Sequence, residues 1–360
     1  MNLIQAQECR YCDAESKSVM TEICSCADHS EHNHTDLAPI SVMETHTHAK
    51  GEWMFAYRSM FMDMEGLRSG TDRLSSSAVH AGATGYVVAP ERMAMEMHGL
   101  GMMYAPNDKI TLMLMLPYKR IDMDHRIDST TPLIGFNNGS ANFTTKTQGV
   151  GDIKIKALVP LKEAKKSQLL TGIGFSFPTG SIREQDTVPV PLVGRVERQL
   201  PAPMQLGSGT VDFLPTLTYL HHFNGFDYGV SAKGVLRLHE NSHDYRLGHE
   251  FKLENWVGCQ LTEKISSNLS LKYEKIGALK GTQSDVAQSV PFSPTKNTVT
   301  TAYGENYESE TLWLGIGAAL VINEIVTLAV DLSYPVYQDF AGIKLETDSI
   351  LTIGLKVKGF

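Results

Sequence analysis

Apolar and polar residues alternate at every second position through most of the chain after residue 52. In DIKIKALVPL, for example, Ile153, Ile155 and Val159 share one side, and Lys154 and Lys156 lie on the other. The stretches KITLMLMLPY, FDYGVSAKGVLRL, ETLWLGIGAALVI and VTLAVDLSYPV repeat this pattern. A period of two residues indicates β-strands that have one apolar face and one polar face. The sequence therefore predicts an all-β fold.

Twelve such segments follow one another, starting near residues 52, 93, 109, 150, 168, 209, 226, 245, 266, 308, 324 and 346. Most have ten residues or more, and a tilted strand needs about 9–11 residues to cross a membrane. Short turns such as APND, HFNG and NE alternate with links that are mostly longer, including 66–92, 128–149, 179–208 and 279–307. This alternation is typical of outer-membrane barrels. We therefore expect a transmembrane antiparallel β-barrel of about 12 strands, with its termini and short turns in the periplasm.

A soluble β-sandwich is the alternative, because its strands also alternate. Its strands usually have about 5–6 residues, which is shorter than the segments of this chain. Tyrosine and tryptophan stand near the ends of the predicted strands, as at Trp53, Tyr57, Tyr104, Tyr118 and Tyr334. Such positions are typical of the aromatic girdles where a barrel meets the membrane surface. Strand length and aromatic placement together favour the barrel.

Composition argues against two other classes of protein. The formal net charge of -8 gives no basic surface for nucleic acid. The chain lacks a run of roughly 18 apolar residues, so no transmembrane helix is predicted. The stretch MNLIQAQECR lacks the basic region and the apolar core of a secretory signal peptide. An exported protein that begins here is therefore expected to be a mature form.

Residues 1–51 are predicted to be a separate unit, and residues 52–360 the barrel. The first unit has little periodic apolar pattern and is expected to be a flexible periplasmic tail. Its CRYC, CSC, HSEHNH and HTH stretches combine cysteine with histidine, and such ligands suit Zn²⁺ or copper. The candidate metal ligands are Cys9, Cys12, Cys24, Cys26, His29, His32, His34, His46 and His48. Disulfides are the alternative in an oxidising periplasm, and the spacing matches no closed zinc-finger template.

Methionine is concentrated in three predicted strands that are neighbours in the sheet. Twelve of the sixteen methionines lie between residues 54 and 123. If the apolar row at 110–118 faces lipid, Met113 and Met115 face the lumen. The predicted luminal row is Met60, Met62, Met64, Met93, Met95, Met97, Met113 and Met115. Thioethers select soft metals such as Cu(I), whereas the alternative is that methionine fills irregular gaps in a narrow interior.

Charged residues are predicted on the luminal side of several strands, where we expect them to pair across the interior. The candidates are Lys154, Lys156, Lys233, Arg237, Glu250, Lys252 and Glu254. No catalytic motif of the GxSxG, HExxH or P-loop kind is present. The stretch HENSHDYRLGHE has histidines near acids, but its position in a predicted external loop favours a solvated or metal-binding surface. Enzymatic activity is therefore not expected.

Several stretches resemble a known family of outer-membrane proteins. They are APISVMETHTHAKGEWMFAYRSMFMDMEG, MHGLGMMYAPNDKITLMLMLPY, GVGDIKIKALVPL, TGIGFSFPTGSI and PMQLGSGTVDFLPTLTY. The resemblance is to the transporter-like barrels grouped under the meta-pathway of phenol degradation, and it runs from about residue 38 to the C-terminus. It implies a β-barrel in the outer membrane of a Gram-negative bacterium and little about the solute. The Cys/His-rich segment before residue 38 lies outside it.

These observations lead to three hypotheses for the function. The favoured one is an outer-membrane channel or transporter-like barrel that handles a small solute, first of all a soft metal ion such as copper. The second is a channel for small hydrophobic or aromatic compounds, and the third is a plugged structural barrel without transport. Methionine and charge in the lumen favour ions, whereas an apolar internal pocket favours aromatic compounds. Outer-membrane lipid and the solute are the expected partners, and the sequence leaves the oligomeric state open.

Overall fold

Long antiparallel β-strands dominate the computed structural model, which describes residues 37–81, 85–131, 142–190, 192–290 and 293–359. The strands are β1 (Trp53–Gly70), β2 (Asp72–Leu74), β3 (Tyr86–Asn107), β4 (Ile110–Ile127), β5 (Asn142–Val150), β6 (Ile153–Ala164), β7 (Ser167–Phe177), β8 (Gln185–Val190), β9 (Gly194–Gln199), β10 (Asp212–Phe213), β11 (Thr216–His222), β12 (Phe226–Arg237), β13 (Tyr245–Arg246), β14 (Glu250–Gln260), β15 (Ile265–Ile276), β16 (Lys280–Gly281), β17 (Ser289–Val290), β18 (Ser293–Val299), β19 (Ser309–Val321) and β20 (Val326–Lys358). A short helix, α1 (Ser76–His80), and the 3-10 helices Ala202–Met204, Thr300–Ala302 and Gly304–Tyr307 lie in the connections. None of the helices in these ranges has the length and apolar composition needed to cross a bilayer. The predicted all-β fold is confirmed.

The main sheet closes on itself as a barrel. Its elements pair in the order β3, β1, β20, β19, β15, β14, β12, β11, β7, β6 and β4, and β4 pairs in turn with β3. Every pair along this ring is antiparallel. Because a closed sheet leaves no row of backbone groups unpaired, it is the form in which β-strands cross a membrane.

The last element, β20, supplies two legs of the barrel. Its 33 residues at about 3.3 Å each would be far longer than a bilayer is thick. Residues 327–340 pair with β19, and residues from 340 to 358 pair with β1. The backbone N–H of Lys358 donates to the carbonyl of Ile325 at 2.8 Å, so the two ends of β20 meet. The barrel therefore has twelve legs, and the predicted number is confirmed.

Two other legs consist of two elements each. β6 and β5 pair with successive parts of β4, and β10 and β11 both lie between β7 and β12. Two predicted strand starts also move. The strand expected from about residue 93 starts at Tyr86, and the strand expected near residue 245 enters the barrel at Glu250, while β13 pairs with β16 instead. At this point a Cβ on Gly248 would lie 1.9 Å from the carbonyl oxygen of Gly277. Glycine is therefore required where the two backbones approach each other.

The outer face of the barrel is apolar. On β4, Leu112 is 43% exposed and Tyr118 is 41% exposed, whereas Thr111 and Met113 on the opposite face are buried. Exposed apolar side chains continue around the barrel at Phe55, Ile155, Ile173, Leu269, Leu314, Val330 and Ile353. Such a belt fits contact with hydrocarbon, so the exposed face is the lipid face.

The connections differ in length between the two ends of the barrel. Short links lie at the end of the barrel where β1 begins. They join β3 to β4, β6 to β7, β14 to β15 and β19 to β20. The long links, including 178–211 and 277–308, lie at the other end. We call these the periplasmic end and the external end, following the predicted topology.

Chain segments fill the lumen at both ends. Residues 37–51, named here the lower plug, lie inside the periplasmic end, where Ile40 and Val42 are each 1% exposed. Parts of 178–211 and 277–308, named here the upper plug, cover the external end, where Met204 is 1% exposed. The lower plug is part of residues 1–51, which are predicted to be a periplasmic tail. Residues 1–36, which include the predicted ligands Cys9, Cys12, Cys24, Cys26, His29, His32 and His34, lie outside the described residues.

Candidate functional site in the barrel lumen

Methionines on β1, β3 and β4 form one wall of the lumen, named here the methionine wall. The direct cross-strand partners are Met60–Met97, Met62–Met95, Met64–Met93, Met54–Met103, Met103–Met113 and Met93–Met123. Met115 lies on the same row of β4 as Met113, and the intervening Leu114 is 37% exposed on the lipid face. Because side chains alternate along a strand, all of these methionines point inward. The eight methionines of the predicted row are among them.

The methionine wall has three levels with different surroundings. At the periplasmic end Met54, Met103 and Met113 pack with Leu158 and with Met43 of the lower plug. At the external end Met93 and Met123 belong to the cluster that includes Met204 of the upper plug, with Leu67, Ile121, Leu200 and Leu345. Met64 and Met95 are half-buried and pack against this external cluster. Between the two ends, the half-buried members are Met60, Met62, Met97 and Met115. Packing therefore explains the two ends of the wall and leaves the middle level facing accessible space.

Small residues widen the lumen beside the middle level. Gly99 and Gly101 lie on the inward row of β3, opposite Arg58 and Ala56 of β1. A Cβ on Gly99 would meet no atom closer than the Arg58 carbonyl oxygen at 4.0 Å. A small cavity lies below this point and is bounded by Ala56, Arg58, Gly101 and the lower plug. The wall therefore has an open recess between its lower and middle levels.

Hydrogen bonds to several legs of the barrel hold the lower plug. The Glu44 carboxylate accepts from Lys156 Nζ at 2.7 Å and from Thr216 Oγ1 at 2.9 Å. The backbone N–H of Ser41 donates to Asp331 Oδ2 at 2.7 Å. Further contacts are Lys233 Nζ to the Met43 carbonyl, the His48 N–H to Thr111 Oγ1, and the Gly51 N–H to the Ala105 carbonyl. The plug is thus attached across the lumen and not along one side alone.

Neighbouring lysines keep the Glu44 carboxyl of the lower plug ionised. Burial raises the pKa of the Glu44 carboxyl, but Lys233 and Lys156 more than offset burial, so this pKa lies below its ordinary value. Glu44 is therefore ionised at neutral pH and attracts both lysines. The lower plug is held largely by this charge attraction together with the burial of Ile40 and Val42.

Glutamine side chains organise the upper plug. Gln283 accepts from the Ala202 N–H at 2.8 Å and donates to the carbonyls of Thr301 and Ala302 at 2.9 and 3.0 Å. Gln205 accepts from the Glu184 N–H at 2.9 Å and donates to the Leu200 carbonyl at 2.7 Å. These amides satisfy backbone groups of irregular segments that no sheet supplies with partners. They therefore join the connections 178–211 and 277–308 into one cover.

A second wall, named here the charged wall, is formed by β12, β14 and β15. Arg237 Nη2 donates to Glu250 Oε1 at 2.7 Å, and Arg237 Nη1 pairs with Asp212. Lys252 Nζ lies 2.7 Å from Glu274 Oε1 and 3.4 Å from Glu250 Oε2. These ion pairs join neighbouring legs instead of crossing the lumen. Arg237, Glu250 and Lys252 of the predicted charged set meet here.

The other predicted charged residues have different surroundings. Lys156 and Lys233 contact the lower plug, and Glu254 lies opposite Lys272 on β15. Lys154 makes no hydrogen bond or ion pair within the described part of the chain. The predicted charged row is therefore divided between the plug, the charged wall and one unpaired lysine.

The methionine wall and the charged wall lie on opposite sides of the barrel. In the closed order of twelve legs, β14 is six places from β3 in either direction. β3 is the central strand of the methionine wall, and β14 is the central strand of the charged wall. The middle of the lumen therefore has a soft apolar side and an ionic side.

Two lysines border the methionine wall. Lys119 lies directly opposite Met97, and Lys154 lies directly opposite Met115. Lys119 Nζ donates to the Leu206 carbonyl of the upper plug at 2.9 Å. Glu250 attracts Lys154 from a distance and Lys252, Lys119 and Arg237 repel it, whereas Asp152 attracts Lys119. In the described part of the chain, two lysines without a carboxylate at ion-pair distance thus lie beside the middle methionines.

Of the predicted tail ligands, His46 and His48 are the two that the structure describes. Their ring centroids are 5.0 Å apart in an edge-to-face arrangement. Burial and the neighbouring His46 lower the pKa of His48 to about 4, so its ring is neutral at physiological pH. Neutral imidazole is the form that binds metal. In the described ranges, no group of three or more His, Cys, Asp or Glu side chains is arranged to hold a metal ion.

The histidines of the external connection do not gather into one site. His243 Nδ1 pairs with Asp285, His239 Nε2 accepts from the Val211 N–H at 2.9 Å, and His249 Nδ1 accepts from the Arg237 N–H at 3.1 Å. Each ring thus has its own structural contact. A solvated surface remains the simpler interpretation of this stretch.

Several residues of the lumen are absent from the predicted set. Met103, Met123 and Lys119 follow the same period-two rows as predicted residues, so extending each row would have included them. Lys272 and Glu274 lie on β15, opposite Glu254 and Lys252 of the predicted set, and the predicted set has no residue on that strand. Glu44, Gln205 and Gln283 lie in segments without periodicity. No local pattern marks them, because their partners are distant in sequence.

Solved structures share this fold, although no family model and no curated protein matches the chain. An outer-membrane channel from Pseudomonas putida F1 is similar over 87% of this chain and 97% of that chain, with 12% identity and a TM-score of 0.57. The NanC porin is similar over 84% of this chain and 100% of that chain, with 7% identity and a TM-score of 0.40. A FadL homologue from Pseudomonas aeruginosa is similar over 85% of this chain and 89% of that chain, with 9% identity and a TM-score of 0.37.

The first of these similarities identifies the architecture. A closed antiparallel barrel with an apolar outer face and the fold of a solved outer-membrane channel is a β-barrel of the bacterial outer membrane. The resemblance to the phenol-degradation family and the absence of enzymatic activity stay predictions.

Proposed function

We propose that this protein is an outer-membrane channel for a small organic solute that has an apolar part. The middle of the lumen carries the proposal: half-buried methionines there border the open recess at Gly99 and Gly101, between two plugs. Thioether side chains are flexible and pack against aromatic and aliphatic groups of different shapes. A recess of this kind can accept apolar solutes that a charged pore would reject. Both plugs must move for a solute to pass. Polar contacts hold much of each plug in place, and water can replace these contacts when the plug moves.

Single-channel recording in planar bilayers tests this function. The full chain in KCl is expected to conduct in short openings, and benzamide is expected to reduce the current as it enters the recess. Glucose serves as the control, since it has a similar size and no apolar face. A barrel that never conducts would support the plugged structural alternative. A barrel that conducts and is equally insensitive to both solutes would contradict the proposed solute class.

Transport of a soft metal ion is a second candidate, favoured by one observation. Met60–Met97, Met62–Met95 and Met64–Met93 are direct cross-strand pairs, and together they form a ladder of thioethers along the wall. Such ligands select soft ions such as Cu(I). The predicted tail ligands His46 and His48 lie at the periplasmic end of the same lumen, where copper or zinc could leave it.

Substitution of the half-buried methionines separates this candidate from the first. Met60, Met62, Met97 and Met115 are replaced together by Leu, which keeps a similar volume and removes the metal ligand. Altered copper or silver tolerance of the cells would support a metal path. Unchanged tolerance, with a barrel that still shows heat-modifiable gel mobility, would reject it. Replacing Met54 and Met103 of the lower level by Leu is the matched control.

A further inference from the structure

Lys154 is a luminal cation whose charge no ion pair neutralises. It lies on β6 in the inward row, opposite Met115 of β4, while the next residue, Ile155, is 46% exposed on the lipid face. It makes no hydrogen bond or ion pair in the described part of the chain, although Glu250 attracts it from a distance. Other luminal lysines do have close partners: Lys156 binds Glu44, and Lys252 binds Glu274. The ammonium group of Lys154 is therefore available to a ligand.

The surroundings of Lys154 would strengthen binding of an anion. Lys119, on the neighbouring leg, adds a second positive charge beside Met97. Arg237 and Lys252 of the charged wall add no net positive charge, because Asp212, Glu250 and Glu274 pair with them. Asp152, the acid nearest in sequence, accepts from the N–H groups of Gly180 and Ser208. An anion entering here would meet two lysines that have no carboxylate at ion-pair distance among the described residues.

Apolar groups lie directly beside this positive charge. Met115 is the cross-strand neighbour of Lys154, and Met97 is the cross-strand neighbour of Lys119. The open recess lies beside them on β3, where Gly101 is directly opposite Met115 and Gly99 is the next inward position toward Met97. Neighbouring strands are about 4.8 Å apart. A carboxylate at the lysines therefore places an attached ring or alkyl group within reach of the thioethers.

We propose that Lys154 and Lys119 form a binding site for an amphipathic organic carboxylate, whose apolar body lies in the recess beside Met97 and Met115. This inference rests on the proposed channel function and narrows its solute class to anions. Lys154 is the main ligand because it is unpaired, and Lys119 also holds the Leu206 carbonyl of the upper plug. A solute anion that draws Lys119 away from Leu206 would also loosen the upper plug.

Calorimetric titration of the purified full chain in detergent tests the site without requiring transport. Three probes are compared. Sodium benzoate carries an aromatic ring and a carboxylate, benzamide carries the ring without the charge, and sodium acetate carries the carboxylate without the ring. Benzoate is expected to bind at least about fivefold more tightly than either of the others, since each part contributes. Equal affinity for benzoate and benzamide would overturn the proposed carboxylate site, even if substitution of a lysine changes the affinity for benzoate.

Substitutions then assign the site to its residues. Lys154→Met is expected to weaken benzoate binding by roughly fivefold or more, whereas Lys154→Arg keeps the charge and most of the affinity. Lys162→Met, an exposed position on the same strand, is the matched control and should have no effect. Unchanged benzoate affinity in a folded Lys154→Met protein would overturn the assignment. Binding without any conductance in bilayers would instead reject the channel function and leave the site intact.

Discussion

Glu44 of the lower plug and Lys156 of β6 form a buried ion pair, with 2.7 Å between Oε1 and Nζ and side chains that are 6% and 8% exposed. The pair joins a segment that precedes the first strand to β6, which is three legs away from β1 around the ring. Thr216 Oγ1 bonds the second carboxylate oxygen at 2.9 Å, so the carboxylate is fully engaged. Glu44 is therefore one of several groups that fasten the lower plug, and it contributes a buried ion pair to that set.

Removal of that carboxylate is expected to open the lower plug. Glu44→Ala leaves Lys156 buried without its partner, and breaking a buried pair in this way costs about 3 kcal/mol or more. We expect a higher open probability in planar bilayers, with a smaller change for Glu44→Gln, which keeps a hydrogen bond to Thr216. Glu324→Ala, at an exposed turn, is the control. Identical recordings for Glu44→Ala and wild type would show that the plug is held by other contacts.

Acid is expected to release the same plug only at low pH. The pKa of Glu44 lies below its ordinary value of 4.5, so its charge stabilises the docked plug fully above that value. The stabilisation is lost as the pH falls through the lowered pKa. Conductance recorded from pH 7 down to 3 should stay low and rise only below about 4.5. A rise near pH 6 would implicate a histidine instead.

Loss of the Gln283 amide is expected to loosen the upper plug. Gln283→Ala leaves the Ala202 N–H and the carbonyls of Thr301 and Ala302 without their partner, and each unsatisfied buried group costs about 1–3 kcal/mol. Limited proteolysis of intact cells should cut the connections 178–211 and 277–308 faster than in wild type. Gln168→Ala, at the opposite end of the barrel, should leave the cleavage rate unchanged. Equal rates for all three proteins would contradict this assignment.

The levels of the methionine wall are expected to differ in their contribution to stability. Met93→Ala and Met123→Ala remove side chains that are 7% and 2% exposed, which typically lowers the free energy of unfolding by about 2–5 kcal/mol. Met60→Ala and Met97→Ala should cost clearly less, because these side chains border accessible space. Urea unfolding followed by tryptophan fluorescence gives the comparison. Equal losses at all four positions would indicate that the middle level is packed as tightly as the ends.

Cysteine labelling is expected to establish which end of the barrel is external. In a background in which the native cysteines are replaced by Ser, Ser181→Cys and Thr295→Cys should react with a membrane-impermeant maleimide on intact cells. Asn107→Cys, in the turn between β3 and β4, should react only after lysis. Labelling of Asn107→Cys alone on intact cells would reverse the orientation.

The strands and the faces of the barrel could be predicted from the sequence because one period governs both. On β4, Leu112 and Leu114 must face lipid, so Met113 and Met115 must face the lumen, and local alternation is sufficient for this inference. The same reasoning places Lys154 in the lumen, because its neighbour Ile155 faces lipid. It does not reveal that Lys154 is unpaired, because pairing depends on how neighbouring legs are aligned.

The plugs could not be predicted in the same way. Residues 37–51 have no regular alternation, and Ser41 and Glu44 bind Asp331 and Lys156, which are 290 and 112 positions away. Gln283 likewise joins segments that are about 80 residues apart. Such contacts follow from the closed shape of the barrel and not from any local pattern.

The distance in sequence between Ser41 and Asp331 also constrains the order of folding. Asp331 belongs to β20, whose second leg pairs with β1 and completes the ring. Contacts between residues far apart in the chain form late, because the intervening chain must first be ordered. The Ser41–Asp331 bond is therefore expected to form late, after the first leg of β20 has paired with β19. Docking of the lower plug thus links the start of the chain to its end, and a barrel whose C-terminal hairpin is incomplete is expected to lack this attachment.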